Sequence, residues 1–306
     1  MANNLNKTNI KSIEKVDPIT VEVIRNSFAS IAKQMNQNLA RSAYTPIIYE
    51  MKDCSVGIFD RGINLVGQSS GLPVFLGTLG PAVKAVVDSY DNADIKEGDV
   101  YIINDSYIVG SHLNDMTVLS PIFYKNKLIG YGATKAHWMD IGAKSPSSAT
   151  DSTEIFQEGY RLGPTRIFKE GEPEKNIIDF LMRNSRLPKS IWGDLQAQIA
   201  ACRTGEIEMK KLYKKFGTKT IDSACREIFR QNEIAERNAV SKMEDGSWSS
   251  AGFLDSWGPG GDPVKVVTRV TIKGEKMLVD LKGSSDQTPG CLNCGLQQTI
   301  AGIRLA

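Results

Sequence analysis

The stretch from Asn104 to Gly142, NDSYIVGSHLNDMTVLSPIFYKNKLIGYGATKAHWMDIG, constrains this chain most, because it reads as a segment that folds back on itself. Met116 to Tyr124 is rich in Thr, Val, Leu, Ile and aromatic residues, and Leu128 to Ala136 resumes an apolar, Gly-punctuated run. Lys125-Asn126 between them predicts a two-residue turn. Counting outward from that turn sets Asp115 opposite Ala136 and Asn114 opposite His137. Antiparallel neighbours lie about 5 Å apart at their α-carbons. The fold-back therefore gathers His112, Asp115 and His137 at one end of a hairpin, and these two histidines are the only ones in the chain.

Each histidine is followed three positions later by an aspartate, Asp115 and Asp140. Imidazole nitrogen and carboxylate oxygen are the usual ligands of catalytic zinc, and the same set suits iron and manganese. The competing reading is a hydrogen-bonded structural histidine at a strand end, since H-x-x-D alone is a weak pattern. Register decides between them, because a slip of one residue turns His137 to the other face.

The rest of the chain reads in order. Residues 1–16 are expected to form a flexible arm. Asp17-Pro18 opens a helix whose core stripe is Val21, Ile24, Phe28, Ile31, Met35, Leu39 and Ser42, ending before Thr45-Pro46. Cys54 to Phe59 and Ile63 to Val66 read as a second hairpin, entered through Asp53, itself read as a solvated strand-edge carboxylate. Gly77 to Ser89 predicts a helix and Asp99 to Asn104 a short strand. Lys144 to Pro173 is rich in Ser, Gly, Pro and Thr and predicts a long connection that starts beside His137 and can cover it. Glu158 within it is read as a surface residue or an acid–base group. Helices follow over Ile177–Arg183, Ile191–Phe216 and Thr218–Met243. Trp248 to Pro263 predicts a breaker, and Val264–Ile272 with Lys276–Leu281 a last hairpin. The fold class is thus α+β: a mixed, largely antiparallel sheet with hairpins and packed amphipathic helices. Residues 17–260 form the domain carrying the site, and 261–306 the start of a second, truncated region.

A formal charge of +2 with scattered Lys and Arg gives no footprint for nucleic acid. No apolar run approaches a membrane span, and the polar N-terminus lacks a secretory signal, so the chain reads as cytoplasmic. Five cysteines argue against a disulfide framework, and Cys291 and Cys294 read as ordinary thiols in a turn.

Several segments together resemble the hydantoinase B/oxoprolinase family: DPITVEVIRNSFASIAKQMNQNLARSAYTPIIYEMKDCSVGIFD, LPVFLGTLG, GDVYIINDSYIVGSHLNDMTVLSPIF, KAHWMDIGAKSP, TEIFQEGYRLGP and WGDLQAQIAACRTGE. The resemblance runs from about Asp17 to the C-terminus in matching order. It implies a metal site made by Asp53, His112, Asp115 and His137, holding zinc, manganese or iron. It further implies a hetero-oligomer in which a hydantoinase A-type ATPase partner uses ATP to phosphorylate the carbonyl of a cyclic amide such as a hydantoin or lactam. The absence of a GxxxxGK[ST] phosphate loop in these 306 residues agrees with ATP chemistry in the partner. Asp140 is the candidate catalytic base or the group orienting His137, with a helix or turn cap as the competing reading. Two alternatives are a ketone carboxylase subunit and a non-catalytic chain that only binds its partner. Trp138 stands where many members carry a second histidine, which implies altered substrate contacts there.

Overall fold

Asp17 caps the first helix, its carboxylate accepting from the Thr20 amide at 3.0 Å, and Pro18 occupies the first turn. In this computed structural model, which describes residues 16–69, 71–91, 93–147 and 151–306, that helix is α1, Pro18–Ser42. Apart from its last residue, Val16, the expected arm over residues 1–16 lies outside the described residues. Every member of the expected stripe but Ser42 is buried. Full burial of such a side chain is worth about 1.5–3 kcal/mol, so the stripe rather than helix propensity fixes α1.

A short helix α2 (Pro46–Tyr49) leads into β1 (Cys54–Asp60) and β2 (Leu65–Gln68). β2 starts two residues later than expected, because the Asp60 carboxylate accepts from the Gly62 and Asn64 amides and Ile63 takes a φ of 64°. α3 (Pro73–Ser89), β3 (Val100–Ile103) and a single turn α4 (Ser106–Val109) follow, then the organising hairpin β4 (Asp115–Tyr124) and β5 (Lys127–His137). The connection after His137 holds a 3₁₀ turn at Ile155–Glu158 and two strands, β6 (Thr165–Lys169) and β7 (Glu172–Pro173). The chain then runs through α5 (Lys175–Arg183), α6 (Pro188–Phe216), α7 (Thr218–Val240), β8 (Gly246–Leu254), β9 (Val264–Lys273), β10 (Lys276–Asp280) and α8 (Leu296–Leu305).

The fold class is α+β, and every strand pairing among the described residues is antiparallel. Seven strands make the main sheet in the order β2-β1-β5-β4-β3-β6-β7. β6 corrects the expectation of a connection without strands. Only Ile167 of TRIFK is fully buried, so the segment carries too little apolar alternation to announce itself. The α1, α6 and α7 helices cover one face through Val56, Ile58 and Ala136. The other face, with Phe59, Tyr101, Leu119, Tyr131 and Ala133, packs on α3 through Leu79, Val83 and Val86.

The hairpin departs from a simple count in one place. Lys125 and Asn126 both have positive φ, 52° and 58°, as a two-residue turn of the I′ kind needs. Tyr124 pairs with Lys127 and Phe123 with Leu128, as counted, but Ile122 pairs with Gly130. Ile129 is the extra residue of a β-bulge, and every pair beyond it is shifted by one. Asp115 therefore lies opposite His137, not Ala136.

The second sheet, β10-β9-β8, corrects the reading of Trp248 to Pro263 as a breaker, since β8 uses most of its first half. It joins strands from both sides of residue 260, so the boundary expected there falls within one sheet. α8 returns to the main body: a Cβ on Gly77 of α3 would stand 2.4 Å from the Ala301 Cβ, a distance only glycine permits.

Candidate metal centre

The bulge determines the chemistry at the sheet end. Across β1, β5 and β4, Asp53, His137 and Asp115 fall in one row, with the His137 amide donating to the Asp53 carbonyl at 3.2 Å. Asp115 Oδ1 lies 2.9 Å from His137 Nδ1, and both side chains are almost fully buried. The second oxygen of Asp115 accepts from the His112 amide at 3.1 Å. Asp115 thus fixes both histidines, one through its ring and one through its backbone.

His112 sits on the loop after α4, turned by Gly110 at a φ of 66°. Its ring is exposed, 6.3 Å between centroids from that of His137, so the row opens to solvent on this side. Burial raises the Asp53 carboxyl, the charge of Asp115 adds to this, and His137 and His112 oppose it. Burial also raises Glu158, in the 3₁₀ turn, against the charge of His112. The connection thus brings Glu158 within electrostatic reach of His112. The segment before α8 reaches the same edge, where Glu158 adds to the effect of burial in raising the Cys291 thiol. A Cβ on Gly110 would meet the Gln298 amide nitrogen at 2.7 Å.

Whether these residues suit a cation can be asked of their atoms. Asp53 Oδ1 and His137 Nε2 are both buried and without a hydrogen-bond partner. Such atoms are costly to leave bare, and a carboxylate oxygen with an imidazole nitrogen is the donor pair a divalent cation takes. The Nδ1 contact to Asp115 is the partner that fixes the ring of a metal-bound histidine. Among the described residues, no three His, Cys, Asp or Glu side chains already stand at ligating separation. The donor chemistry fits; the side chains are not drawn together around a point.

Asp140 goes elsewhere. Its buried carboxylate is gripped by Arg186, with guanidinium contacts of 2.5–3.2 Å and a backbone amide bond, and it also accepts from Ser185 and the Gly142 amide. Burial works to raise this carboxyl, but the Arg186 hydrogen bonds and charge outweigh it and hold the group below its ordinary value. Trp138 also points away. It is fully buried in the core cluster that includes Leu195 of α6, its indole donating to Gln198 at 2.8 Å, so a histidine in its place would alter packing behind the sheet.

Lys135 escaped the sequence reading. It is fully buried on the same face as His137, flanked by Ser55 and Thr117 across the ladder. Strand parity was the available signal, since Lys135 and His137 share a face with Tyr131 and Ala133.

The hydantoinase B/oxoprolinase family profile matches residues 17–306. A protein of Pseudomonas sp. (strain NS671) named as the B component of a D-/L-hydantoinase is 34% identical over 298 residues, covering 94% of this chain and 50% of that one. The crystal structure of the ATP-dependent caprolactamase from Pseudomonas jessenii superposes with a TM-score of 0.90 at 29% identity, over 95% of this chain and 50% of that one. Nucleotide-free acetone carboxylase superposes at 0.85 with 20% identity, over 94% and 40%, a likeness of fold alone. The chain spans about half the length of such curated relatives. With profile, relatives and fold in agreement, this chain belongs to the hydantoinase B/oxoprolinase family.

Proposed function

We propose that this chain supplies the metal-binding catalytic part of an ATP-dependent cyclic amide hydrolase, acting on a hydantoin or lactam whose carbonyl a hydantoinase A-type partner has phosphorylated. The observation that carries the reading is the pair of buried, partnerless donor atoms, Asp53 Oδ1 and His137 Nε2, beside the Asp115 clamp. Family membership and the caprolactamase likeness support the reaction class.

In this reading Asp53, His112, His137 and Asp115 hold a divalent cation, zinc, manganese or iron. When bound, that cation supplies a Lewis acid that polarises a substrate oxygen and makes water a better nucleophile near neutral pH. The protein's own part is orientation. Asp115 keeps the proton of His137 on Nδ1 and turns Nε2 toward the row. The sheet and α3 limit water on the buried side, while exposed His112 marks the side from which substrate arrives. Asp140, tied to Arg186, shapes the loop behind His137 and takes no proton in the reaction.

The test is reconstitution with the partner ATPase. ATP turnover coupled to hydantoin, 5-oxoproline or a lactam supports hydrolysis, and turnover that needs a ketone with bicarbonate supports the carboxylase alternative. Metal analysis of the assembled protein separates both from a chain that only binds its partner, which holds no stoichiometric cation.

A further inference from the structure

We propose that Lys135 is the positioning residue that fastens the His112 loop to the sheet. The first observation is cost. A lysine with no exposed surface is expensive, and a methionine of similar volume would serve packing better. Among the described residues no carboxylate lies within ion-pair distance of Lys135.

The second observation is what the ammonium touches. It donates to Thr78 Oγ1 of α3 and to Ser111 Oγ, each at 2.7 Å, and lies 5.4 Å from the centre of the Phe75 ring. Ser111 directly precedes His112. One side chain thus ties three pieces together: strand β5, which carries His137, helix α3, and the loop that carries His112.

The third observation is how His112 is held on its two sides. Its ring is exposed. On its C-terminal side its amide bonds Asp115, its carbonyl accepts from the Asp115 amide at 3.0 Å, and the next residue, Leu113, is buried with its carbonyl accepting from Asn104 at 2.6 Å. The Ser111–Lys135 bond holds the chain on the N-terminal side of His112. Ser111 precedes His112 and Asp115 follows it, so losing this bond loosens the approach to His112 while the Asp115–His137 contact stays. Lys135 acts through Ser111, not on the reacting atoms.

The proposal rests on the metal reading only for its effect on cation affinity; the loop restraint stands without it. The experiment compares wild-type chain with Lys135→Met and Ser111→Ala. With only two histidines in the chain, imidazole ¹⁵N spectra resolve each ring, and a His112→Gln variant assigns them. In metal-free protein both variants are expected to move the His112 signals toward free-imidazole values, with a smaller change at His137. Cobalt(II) affinity is expected to fall about tenfold or more in Lys135→Met, the usual scale for a residue supporting a ligand, and less in Ser111→Ala. Unmoved His112 signals in both variants overturn the proposal. So does cobalt binding as tight as wild type, or tighter, in both. If Lys135→Met does not fold, Ser111→Ala decides, since it removes the tie and keeps the charge. If wild type takes no cobalt, the metal reading falls and the imidazole spectra alone judge Lys135.

Discussion

His112–Asp115 and His137–Asp140 share one spacing and have opposite fates. Asp115 turns back to the His112 amide and across to the His137 ring, and becomes the hub of the site. Asp140 turns to Arg186 and holds the start of the connection against the loop before α6. The difference lies in the backbone after each aspartate. Asp115 begins a strand, so its side chain is set by cross-strand register beside a partner histidine. Asp140 begins an irregular segment, where five hydrogen-bond donors from Gly142, Ser185 and Arg186 are the nearest means of satisfying a buried charge. Equal spacing along a chain therefore says little about equal chemistry; the ladder decides.

Asp115→Ala should have the largest effect. It removes the partner of His137 Nδ1 and of the His112 amide together, and cation affinity should fall by about a hundredfold, the upper end for such partners. Calorimetric titration with zinc or manganese checks it, and near-normal affinity would break the contrast. Asp140→Ala should cost about 2–3 kcal/mol in urea unfolding, below the full value for a buried pair because Arg186 can turn to solvent. Cation affinity per folded molecule should change less than about threefold, well short of the tenfold expected of a ligand's partner.

A pH series sharpens the same point. The Asp140 carboxyl titrates below its ordinary 3.8 in the folded state. Its contribution is therefore complete above that value and is lost as pH falls through the lower folded pKa. Wild-type stability should drop more steeply than that of Asp140→Asn in this acid range, as urea midpoints will show. The smallest effect belongs to the hairpin tip. Lys125→Asn suits a φ of 52° better than lysine does and should add about 0.5 kcal/mol to stability with unaltered cation affinity.

Much of this was legible from residue pattern. The α1 stripe, the fold-back and the approach of both histidines follow from periodicity and turn chemistry. The bulge does not. Ile129 is an ordinary strand residue, and only packing on both sides of the sheet dictates that it be the unpaired one. The simple count would have set Asp115 and His137 on opposite faces, so the site's key contact rests on the one feature periodicity cannot reveal. β8 was missed because Ser and Gly fill an exposed strand whose pairing with β9, not burial, defines it. Lys135 was missed because a charged residue in a strand is ordinarily read as solvent-facing, whereas its parity assigned it inward.

The extra residue at Ile129 also works as a slip joint. Between it and the tip, the hairpin is free to gain or lose length, since the joint absorbs the offset before it reaches Asp115 and His137. On the other side, toward His137, one inserted or deleted residue exchanges inside for outside at every remaining position. Variation in length should therefore gather at the tip, and the strand segment from Gly130 to His137 should keep its count.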